Sequence, residues 1–472
     1  MAQQTSTRSV ALRAGEGWTG PLTWAQLAIW EVFRWLGPDE AASLNLSAVR
    51  DVPSGRTVDD VVTALRRLVE RHDALRTRFA ASDDGEPRQT VEPYGNLDVT
   101  VVEAGDQPPE RAVEALVERM RAEPFEMATD LPLRAAVLAE AGRPLVVVLV
   151  LNHMAVDGYS LEIVSRDLGL LLDGAGELPP PGQQPRDRAS YEASDLARRR
   201  ATAALDYWTD GVRELPRALL VSEPGPVPQQ WARITSEALR LAVRELADRH
   251  RMSLSMVVQA LTGLLLGFYR RESRVGIRLI VATRFTSETR DYVGAFNQNG
   301  LLRLTVGTDR LGDFLRHSRA ASMRAYQHCE CDPLLLEARI AQVGAERGID
   351  VGGYCFVNDV RPFAEVRSEV PGRAGDVVRD GDSPADLHSV IEAARHRTTV
   401  ADLDRDGRQK GATFFLFLNT LGETARLTLA ADGRFLAPGS ARTFLADLEW
   451  LAVEALSGDP LLPELAEDWS RR

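Results

Sequence analysis

Leu145-Val-Val-Val-Leu-Val-Leu-Asn-His-Met-Ala-Val-Asp-Gly158 is the stretch around which the rest of the chain is arranged. Its first seven residues are leucine or valine, a run too short for a membrane span and typical of a buried β-strand. Polar residues follow at once with Asn152 and His153, and the pair Asp157-Gly158 is typical of a turn. A buried strand that ends in a histidine holds a base in a fixed position. Because satisfied core histidines also occur at strand ends, this stretch alone leaves a catalytic and a structural histidine equally open.

The length and composition of the chain predict its number of domains, its location and the partners it does not bind. With 472 residues it exceeds what one hydrophobic core usually serves, which predicts two domains. Hydrophobic residues make up 44% and charged residues 26%, the proportions of a soluble globular protein. No signal peptide or membrane-length apolar window occurs, so we expect a cytoplasmic protein. The net charge of −12 argues against broad binding to nucleic acids or to anionic membranes.

The cysteines of this chain predict neither a disulfide framework nor a metal site. Its three cysteines, Cys329, Cys331 and Cys355, do not have the number or spacing of a disulfide framework or a complete zinc site. His328 and Asp332 flank the first two cysteines, which makes a metal site there one interpretation. Because no second ligand cluster occurs, we expect two reduced thiols in a loop and no bound metal.

Helix and strand patterns alternate along the chain, which predicts an α/β protein in two halves. Residues 1–17 indicate a flexible lead-in. Helices are predicted at residues 23–35, 57–72, 108–123, 160–172, 191–215, 253–269, 311–327 and 441–456. Strands are predicted at residues 44–52, 88–92, 97–103, 131–140, 145–151, 275–284, 353–358, 412–418 and 424–430. Proline and glycine concentrate in residues 174–187, so we place a linker at residues 179–190, between an N-terminal lobe (residues 1–178) and a C-terminal lobe (residues 191–472).

Six motifs follow one another along nearly the whole chain. The first three are Thr23-Trp-Ala-Gln-Leu-Ala-Ile-Trp30, Arg71-His-Asp-Ala-Leu-Arg-Thr-Arg-Phe79 and Asn152-His-Met-Ala-Val-Asp-Gly158. The others are Tyr207-Trp208, Val293-Gly-Ala-Phe296 followed by Arg303, and Ala430-Ala-Asp-Gly-Arg-Phe435. Together they resemble the motifs of condensation domains of nonribosomal peptide synthesis. These domains belong to the chloramphenicol-acetyltransferase-like superfamily, and their core signature is His-His-x-x-x-Asp-Gly.

The resemblance implies a fold and a reaction. The fold is a V-shaped pseudo-dimer of two lobes, each a mixed β-sheet with flanking helices, and a tunnel between the lobes contains the catalytic histidine. Members of the family join an acyl thioester to an amine, or sometimes to an alcohol. The thioester is usually carried on the phosphopantetheine arm of a carrier protein.

The same resemblance implies the partners. It predicts an enzyme with no bound cofactor, an acyl or peptidyl carrier protein that acts in trans, and a small-molecule acceptor or a second carrier protein. Since no carrier-protein or adenylation motif flanks the domain, we expect a free-standing enzyme.

Roles for the signature residues follow from the chemistry and from the resemblance together. His153 is the candidate base, or it positions the nucleophile. A backbone N–H in the turn, at Gly158, is the candidate donor to the oxyanion. Arginine or backbone amides can hold the buried Asp157, and the resemblance favours Arg284 from the second lobe. The first histidine of the signature is Asn152 here, which can form hydrogen bonds but cannot titrate.

Four further residues are candidates for lining the substrate tunnel, namely Tyr159, Ser160, Gln298 and Asn358. Tyr159 stands where tryptophan is common in the family, and Gln298 stands where asparagine is usual. These departures and Asn152 point to an unusual substrate or a weakened enzyme.

Two other functions remain open at this stage. One is an ester-forming or CoA-dependent acyltransferase of the same fold. The other is a non-catalytic module that recruits a carrier protein or an oxygenase.

Overall fold

The computed structural model describes residues 5–105, 107–220, 229–307, 309–362, 365–366, 384–405, 409–437 and 439–472. The chain forms two compact units. Unit 1 comprises Met1–Arg199, Ala282–Gln298 and Asp332–Leu334, and unit 2 comprises Arg200–Val281, Asn299–Cys331 and Leu335–Arg472. Each unit combines mixed β-sheet with helices, which confirms the predicted α/β class.

The helices and strands are numbered here in chain order. The strands are β1 (Thr5–Arg13), β2 (Trp18–Pro21), β3 (Leu46–Asp51), β4 (Thr77–Ala81), β5 (Pro87–Val91), β6 (Tyr94–Glu103), β7 (Leu133–Glu140), β8 (Arg143–Leu151), β9 (Gln229–Ser236), β10 (Arg274–Ala282), β11 (Asn297–Thr305), β12 (Tyr354–Asp359), β13 (Thr399–Asp402), β14 (Ala412–Thr420) and β15 (Ala425–Asp432). The helices are α1 (Trp24–Leu36), α2 (Pro38–Ala41), α3 (Val58–Arg71), α4 (Pro109–Ala122), α5 (Gly158–Leu172), α6 (Pro185–Glu192), α7 (Asp195–Glu214), α8 (Glu237–His250), α9 (Leu254–Arg270), α10 (Ser287–Arg290), α11 (Leu311–Gln327), α12 (Pro333–Arg347), α13 (Pro384–Arg395), α14 (Ser440–Glu454) and α15 (Leu462–Ser470). Three short 3₁₀ helices lie at Ala42–Leu44, Asp73–Arg76 and Arg217–Leu219.

Unit 1 is built on a five-stranded sheet in the order β1-β6-β7-β8-β3, beside a three-stranded sheet in the order β2-β5-β4. Strand β8 is the predicted buried strand, and it pairs antiparallel with both β7 and β3. Its last five residues, 147–151, are at most 1% exposed. Each buried valine or leucine side chain contributes about 1.5–3 kcal/mol. The strand is therefore a rigid support for the residues that follow it.

Unit 2 is built on a seven-stranded sheet in the order β11-β10-β12-β14-β15-β9-β13. Strands β10, β12 and β14 run parallel, whereas β14, β15, β9 and β13 pair antiparallel. Helices α8, α9 and α14 supply much of the apolar core against this sheet. In the described part of the chain no single helix is long and apolar enough to cross a bilayer. Helices α8 and α9 taken together have the length and composition of a span, but they are bent by 103° at their junction.

Local sequence signals account for several helix starts. The side chain of Thr23 accepts a hydrogen bond from the backbone N–H of Gln26 at the start of α1. Thr57 does the same for Asp60 at the start of α3. Both residues form capping boxes at the start of their helices.

One prediction about chain organisation was wrong, and another covers a segment that contains regular structure. The predicted lead-in contains β1, which pairs with β6 along all nine of its residues. It was missed because it is a mostly exposed edge strand without apolar alternation. The predicted linker at residues 179–190 contains most of α6, whose Arg188 and Glu192 form a buried ion pair at 2.7 Å. Glu192 also connects α6 to unit 1, because its carboxylate accepts a hydrogen bond from the backbone N–H of Trp24 at 2.7 Å, although the composition around the helix is typical of a linker.

The predicted division into lobes also differs from the compact units. Residues 191–199 and 282–298 were expected in the C-terminal lobe, but they pack with unit 1. Composition cannot reveal a segment that returns to an earlier unit, because the return depends on contacts made across more than a hundred residues.

Candidate active site

The turn that follows β8 is closed by Asn152. Its N–H donates to the carbonyl oxygen of Pro132 at 3.0 Å, and its own carbonyl accepts from the N–H of Ala155 at 3.0 Å. Its side-chain Oδ1 accepts from the N–H of Met154 at 2.8 Å. Asn152 is buried, so these three hydrogen bonds fix the backbone on both sides of His153.

His153 is half-buried, and the turn engages one of its two ring nitrogens. Nδ1 lies 2.8 Å from the carbonyl oxygen of Val156. Since a carbonyl oxygen only accepts, the neutral ring carries its proton on Nδ1 and its lone pair on Nε2. The turn thus orients the imidazole and leaves Nε2 able to accept a proton.

Asp157 is fully buried and caps the N-terminus of α5. Its Oδ1 accepts from the N–H of Ser160 at 2.8 Å, and its Oδ2 accepts from the N–H of Phe296 at 3.1 Å. Backbone donors of this kind stabilise a buried carboxylate and compensate part of its lost hydration. The contact to Phe296 also joins the start of α5 to the segment at residues 282–298.

Arg284 forms a two-point ion pair with Asp157. Its two terminal nitrogens lie 2.8 Å from Oδ2 and 2.9 Å from Oδ1, and the arginine side chain is 2% exposed. Arginine suits this geometry because its planar fork matches both carboxylate oxygens. The expected pairing of these two residues is present. However, Arg284 belongs to unit 1, as Asp157 does, and not to a second lobe.

Aromatic rings surround the Arg284 guanidinium. Its central carbon lies 4.5 Å from the ring centre of Tyr159, 5.3 Å from that of Phe296 and 6.0 Å from that of Tyr292. Burial raises the pKa of Tyr292 well above its ordinary range, so its hydroxyl stays neutral. Tyr159 therefore packs against the Arg284–Asp157 pair, which explains an aromatic residue at this position whatever it does toward substrate.

Ser160 belongs to the same buried arrangement. Its hydroxyl lies 2.8 Å from the carbonyl oxygen and 3.0 Å from the N–H of Gly294, and 2.7 Å from the guanidinium of Arg284. The residue is fully buried. These contacts assign the hydroxyl to holding the 282–298 segment, which differs from the substrate-lining role expected from the sequence.

The other two candidate tunnel residues, Gln298 and Asn358, lie on strands. Gln298, at the start of β11, is 6% exposed, and its Nε2 has no partner among the described residues. Asn358 lies on β12 in unit 2, between Ile280 of β10 and Phe417 of β14. Their roles toward substrate remain proposals.

Gly158 is exposed at the first position of α5. A Cβ atom built on it would meet no heavy atom within 4 Å, and its φ lies outside the range that favours glycine. The folded protein therefore does not need glycine here. Because the first N–H groups of a helix have no intrahelical acceptor, this open position exposes backbone donors and the positive end of the helix dipole.

A second buried cluster in unit 1 was not anticipated from the sequence. Asp167 on α5 accepts from His72 Nε2 at 3.0 Å, from Arg71 at 2.9 Å and from Arg166 at 2.9 Å. Arg166 also pairs at 2.8 Å with Asp291, which belongs to the same 282–298 segment as Arg284. The second motif thus contributes to packing, and its partner is 95 residues away.

The cysteines show no metal arrangement. Cys329, Cys331 and Cys355 are buried and not joined in disulfides, and the Cys329 thiol donates to the carbonyl oxygen of Tyr326 at 3.0 Å. Within the described ranges, no group of three or more histidine, cysteine, aspartate or glutamate side chains could hold a metal ion.

Comparison with known proteins identifies the family. The model of the condensation-domain family matches residues 19–344, which include the turn with His153 and the Arg284 segment. The chain belongs to the condensation-domain family. The family is thus the one that the motifs resembled.

Curated relatives of this condensation domain are peptide synthetases. The chain is 27% identical over 470 residues to phosphinothricin tripeptide synthetase PhsC of Streptomyces viridochromogenes, covering 93% of this chain and 41% of that protein. It is 29% identical over 332 residues to the probable non-canonical nonribosomal peptide synthetase CymA of Salinispora arenicola, covering 65% of this chain and 4% of that protein. The chain therefore spans less than half of these relatives.

A solved structure supports the fold. The condensation domain studied for chain release from the enacyloxin polyketide synthase matches with a TM-score of 0.68 at 22% identity, covering 94% of this chain and 84% of that one. This likeness shows that the chain has the condensation-domain fold.

Proposed function

We propose that this condensation domain transfers an acyl or aminoacyl group from a carrier-bound thioester to an amine and so forms an amide bond. One observation carries the proposal: His153 follows a rigid buried strand, its Nδ1 is engaged by the carbonyl of Val156 at 2.8 Å, and its Nε2 lone pair is available. A base held in one orientation is what such a transfer requires.

The reaction forms a C–N bond and breaks a C–S bond. The neutral amine attacks the thioester carbonyl carbon and gives a tetrahedral intermediate with a negatively charged oxygen. His153 Nε2 takes the proton that the nitrogen must lose, and the same proton returns to the departing thiolate. An α-amino group has a pKa of about 8, so a usable neutral fraction exists near neutral pH.

Gly158 is the proposed site of oxyanion stabilisation. It lies at the open N-terminal end of α5, where helix N–H groups lack intrahelical acceptors. The positive end of the helix favours a developing negative charge. The absence of any atom near its Cβ position supports close approach of a substrate to the backbone.

Asp157 and Arg284 act in this proposal as positioning residues. Their ion pair, together with Ser160, connects the start of α5 to the 282–298 segment. Asp157 is also the last residue of the turn that holds His153. The pair therefore maintains the geometry of the turn, and it does not contact the reacting atoms.

The donor in this proposal is an acyl or peptidyl carrier protein that acts in trans through its phosphopantetheine arm. The acceptor is a small amine or a second carrier protein. The similarity to nonribosomal peptide synthetases supports this class of donor. No cofactor of the domain itself enters the reaction.

Product formation tests the proposal. The purified protein is incubated with acyl-carrier thioesters and with pairs of acceptors that differ only in an amino or a hydroxyl group, and the products are read by mass spectrometry. Amide products support the proposal. Ester products alone, or transfer from acyl-CoA but not from the carrier, assign the domain to the alternative acyltransferases. Carrier binding without any product assigns it to recruitment and contradicts the proposal.

A further inference from the structure

A polar cavity lies within unit 2, at the start of β10, the end of β11 and the last turns of α7. Its volume is about 290 Å³, close to the lower bound of roughly 300 Å³ for small-molecule sites. Its charged lining residues are Arg274, Arg303, Arg324 and Glu214. None of the signature residues around His153 belongs to it.

The cavity has more positive than negative charge. Glu214 is shared by two arginines, since its Oε2 lies 2.6 Å from Arg303 and 3.7 Å from Arg274. Arg324, on α11, has no carboxylate within ion-pair distance among the residues that the structure describes. Three guanidinium groups thus face a single carboxylate. The lining has an excess of two positive charges, which a dianion would neutralise.

An aromatic pair supports the arginine lining. The hydroxyl of Tyr207 donates to the carbonyl oxygen of Leu301 at 2.9 Å, and the Tyr207 ring stacks on His328 with centroids 4.8 Å apart. The Arg303 guanidinium lies 5.3 Å from the centre of the same ring. Burial raises the pKa of Tyr207, and the charges of Arg303 and Arg324 oppose that rise.

Gly211 allows this arrangement. A Cβ atom there would lie 2.5 Å from Leu301 Cδ2 and 3.1 Å from Arg303 Cδ. A side chain on α7 at this point would require Leu301 to move and would crowd the Arg303 side chain. The helix face is therefore shaped around the arginine.

We propose that this cavity binds the phosphate group of a small phosphorylated ligand. A phosphate monoester is a dianion near neutral pH, which matches the excess of guanidinium groups, and its three terminal oxygens accept the forked donors of arginine. A carboxylate carries one charge and fewer acceptor directions, so it matches the lining less well. This site goes beyond acyl transfer and does not depend on the proposed function.

Titration calorimetry with the whole protein tests the proposal. The titrants are inorganic phosphate, glycerol 3-phosphate as an organic monoester, and sodium acetate at matched ionic strength. We expect either phosphate to bind at least about tenfold more tightly than acetate. Tighter binding of glycerol 3-phosphate than of inorganic phosphate assigns the site to organic monoesters, and the reverse assigns it to free phosphate. Equal affinity for acetate and phosphate overturns the proposal.

Three variants tie the binding to this cavity. Arg324→Gln should weaken phosphate binding by about tenfold or more, since a charge-assisted hydrogen bond is lost. Arg319→Gln, an exposed change on the same helix α11 but outside the cavity, should leave the affinity unchanged. Glu214→Gln should tighten binding several-fold, because it removes the only carboxylate among the lining residues.

The outcome of the variants decides the assignment. If Arg324→Gln and Arg319→Gln bind phosphate equally well, or if Glu214→Gln weakens binding while its unfolding is unchanged, the cavity is not the site. Calorimetry reads binding and not turnover, so failure of the amide assay leaves this result intact.

Discussion

Two histidines in unit 1 carry opposite tautomers, and the difference separates a candidate catalyst from a packing residue. His153 donates from Nδ1 to the carbonyl of Val156 and leaves Nε2 available. His72 is 1% exposed, and its Nε2 lies 3.0 Å from the carboxylate of Asp167, while its Nδ1 has no partner among the described residues. The lone pair of His153 is on Nε2, in a half-buried turn. The lone pair of His72 is on Nδ1, which is buried.

The aspartates beside these histidines show a parallel contrast. Asp157 is held by one buried arginine and two backbone N–H groups. Burial by itself would raise the pKa of Asp167, but hydrogen bonds from His72, Arg166 and Arg71 lower it well below its ordinary range. Both carboxylates are thus charged anchors, yet only Asp157 belongs to the turn that orients a ring with a free lone pair.

The largest expected effect comes from removing the anchor at His153. Asp157→Ala should lower the free energy of unfolding by about 3–5 kcal/mol, because Arg284 stays buried without its partner. Urea unfolding followed by circular dichroism measures this. The matched change Asp167→Ala should cost less, since the side chain of Arg166 is 50% exposed and can reach water. A smaller loss for Asp157→Ala than for Asp167→Ala would contradict the comparison.

The second prediction concerns pH. Burial lowers the pKa of His72 below its ordinary value of 6.5, so the unfolded chain binds a proton that the folded chain does not. The free energy of unfolding should therefore fall as the pH drops through about 6.5 toward the folded pKa. In His72→Gln this contribution is absent.

Urea unfolding of both proteins between about pH 8 and about pH 5.5 measures the effect around the unperturbed histidine pKa. The stability advantage of the natural protein over His72→Gln should shrink as the pH falls. Burial also lowers the pKa of His250, but that residue is present in both proteins and cancels in the difference. An advantage that is constant or grows toward acid would show that His72 is not buried as a neutral ring.

A third prediction separates function from stability at Gly158. Gly158→Ala should change the free energy of unfolding by no more than about 1 kcal/mol, since the position is open and unstrained. The rate of acyl transfer should fall by about tenfold or more, because a methyl group displaces the substrate from the helix terminus. Gly176→Ala, at another open position of ordinary φ, is the matched control and should keep its rate. Equal rates for both variants would remove Gly158 from the site.

The smallest expected effect lies at Asn152. Its Oδ1 accepts from the N–H of Met154, and the Nδ1 of a histidine would occupy the same place. We expect Asn152→His to retain the turn, whereas Asn152→Leu leaves the buried N–H without a partner. The transfer rate of Asn152→His should exceed that of Asn152→Leu by about tenfold, the equivalent of one buried hydrogen bond. Equal rates would show that the hydrogen bond does not support the turn.

Sequence reasoning succeeded where the signal is local. The run of residues 145–151 was identified as a buried strand, and the helix at residues 311–327 was placed with the observed bounds. The pairing of Asp157 with Arg284 was also anticipated, but from family resemblance and not from residue spacing. A continuous apolar run explains the strand and apolar periodicity explains the helix, because both patterns extend over only a few residues.

The features that were missed depend on contacts between distant residues. Ser160 was placed toward substrate, whereas its hydroxyl bonds to Gly294, 134 residues later. The Asp167 cluster joins α3 to α5. The helix at Pro333–Arg347 was not predicted, because its amphipathic pattern is weak. The contacts of Ser160 and Asp167 leave no periodic signal in the sequence.

The rate of amide formation by His153→Ala tests the central claim most directly. It is measured in single turnover, beside the natural protein and His72→Gln, with unfolding curves for all three at about pH 8, above the unperturbed histidine pKa. His153→Ala should lower the rate by about 10²–10⁴-fold and the free energy of unfolding by no more than about 1.5 kcal/mol, the cost of losing its hydrogen bond to the carbonyl of Val156. His72→Gln should lose stability but keep its rate. A folded His153→Ala protein that forms the amide as fast as the natural protein would contradict the claim.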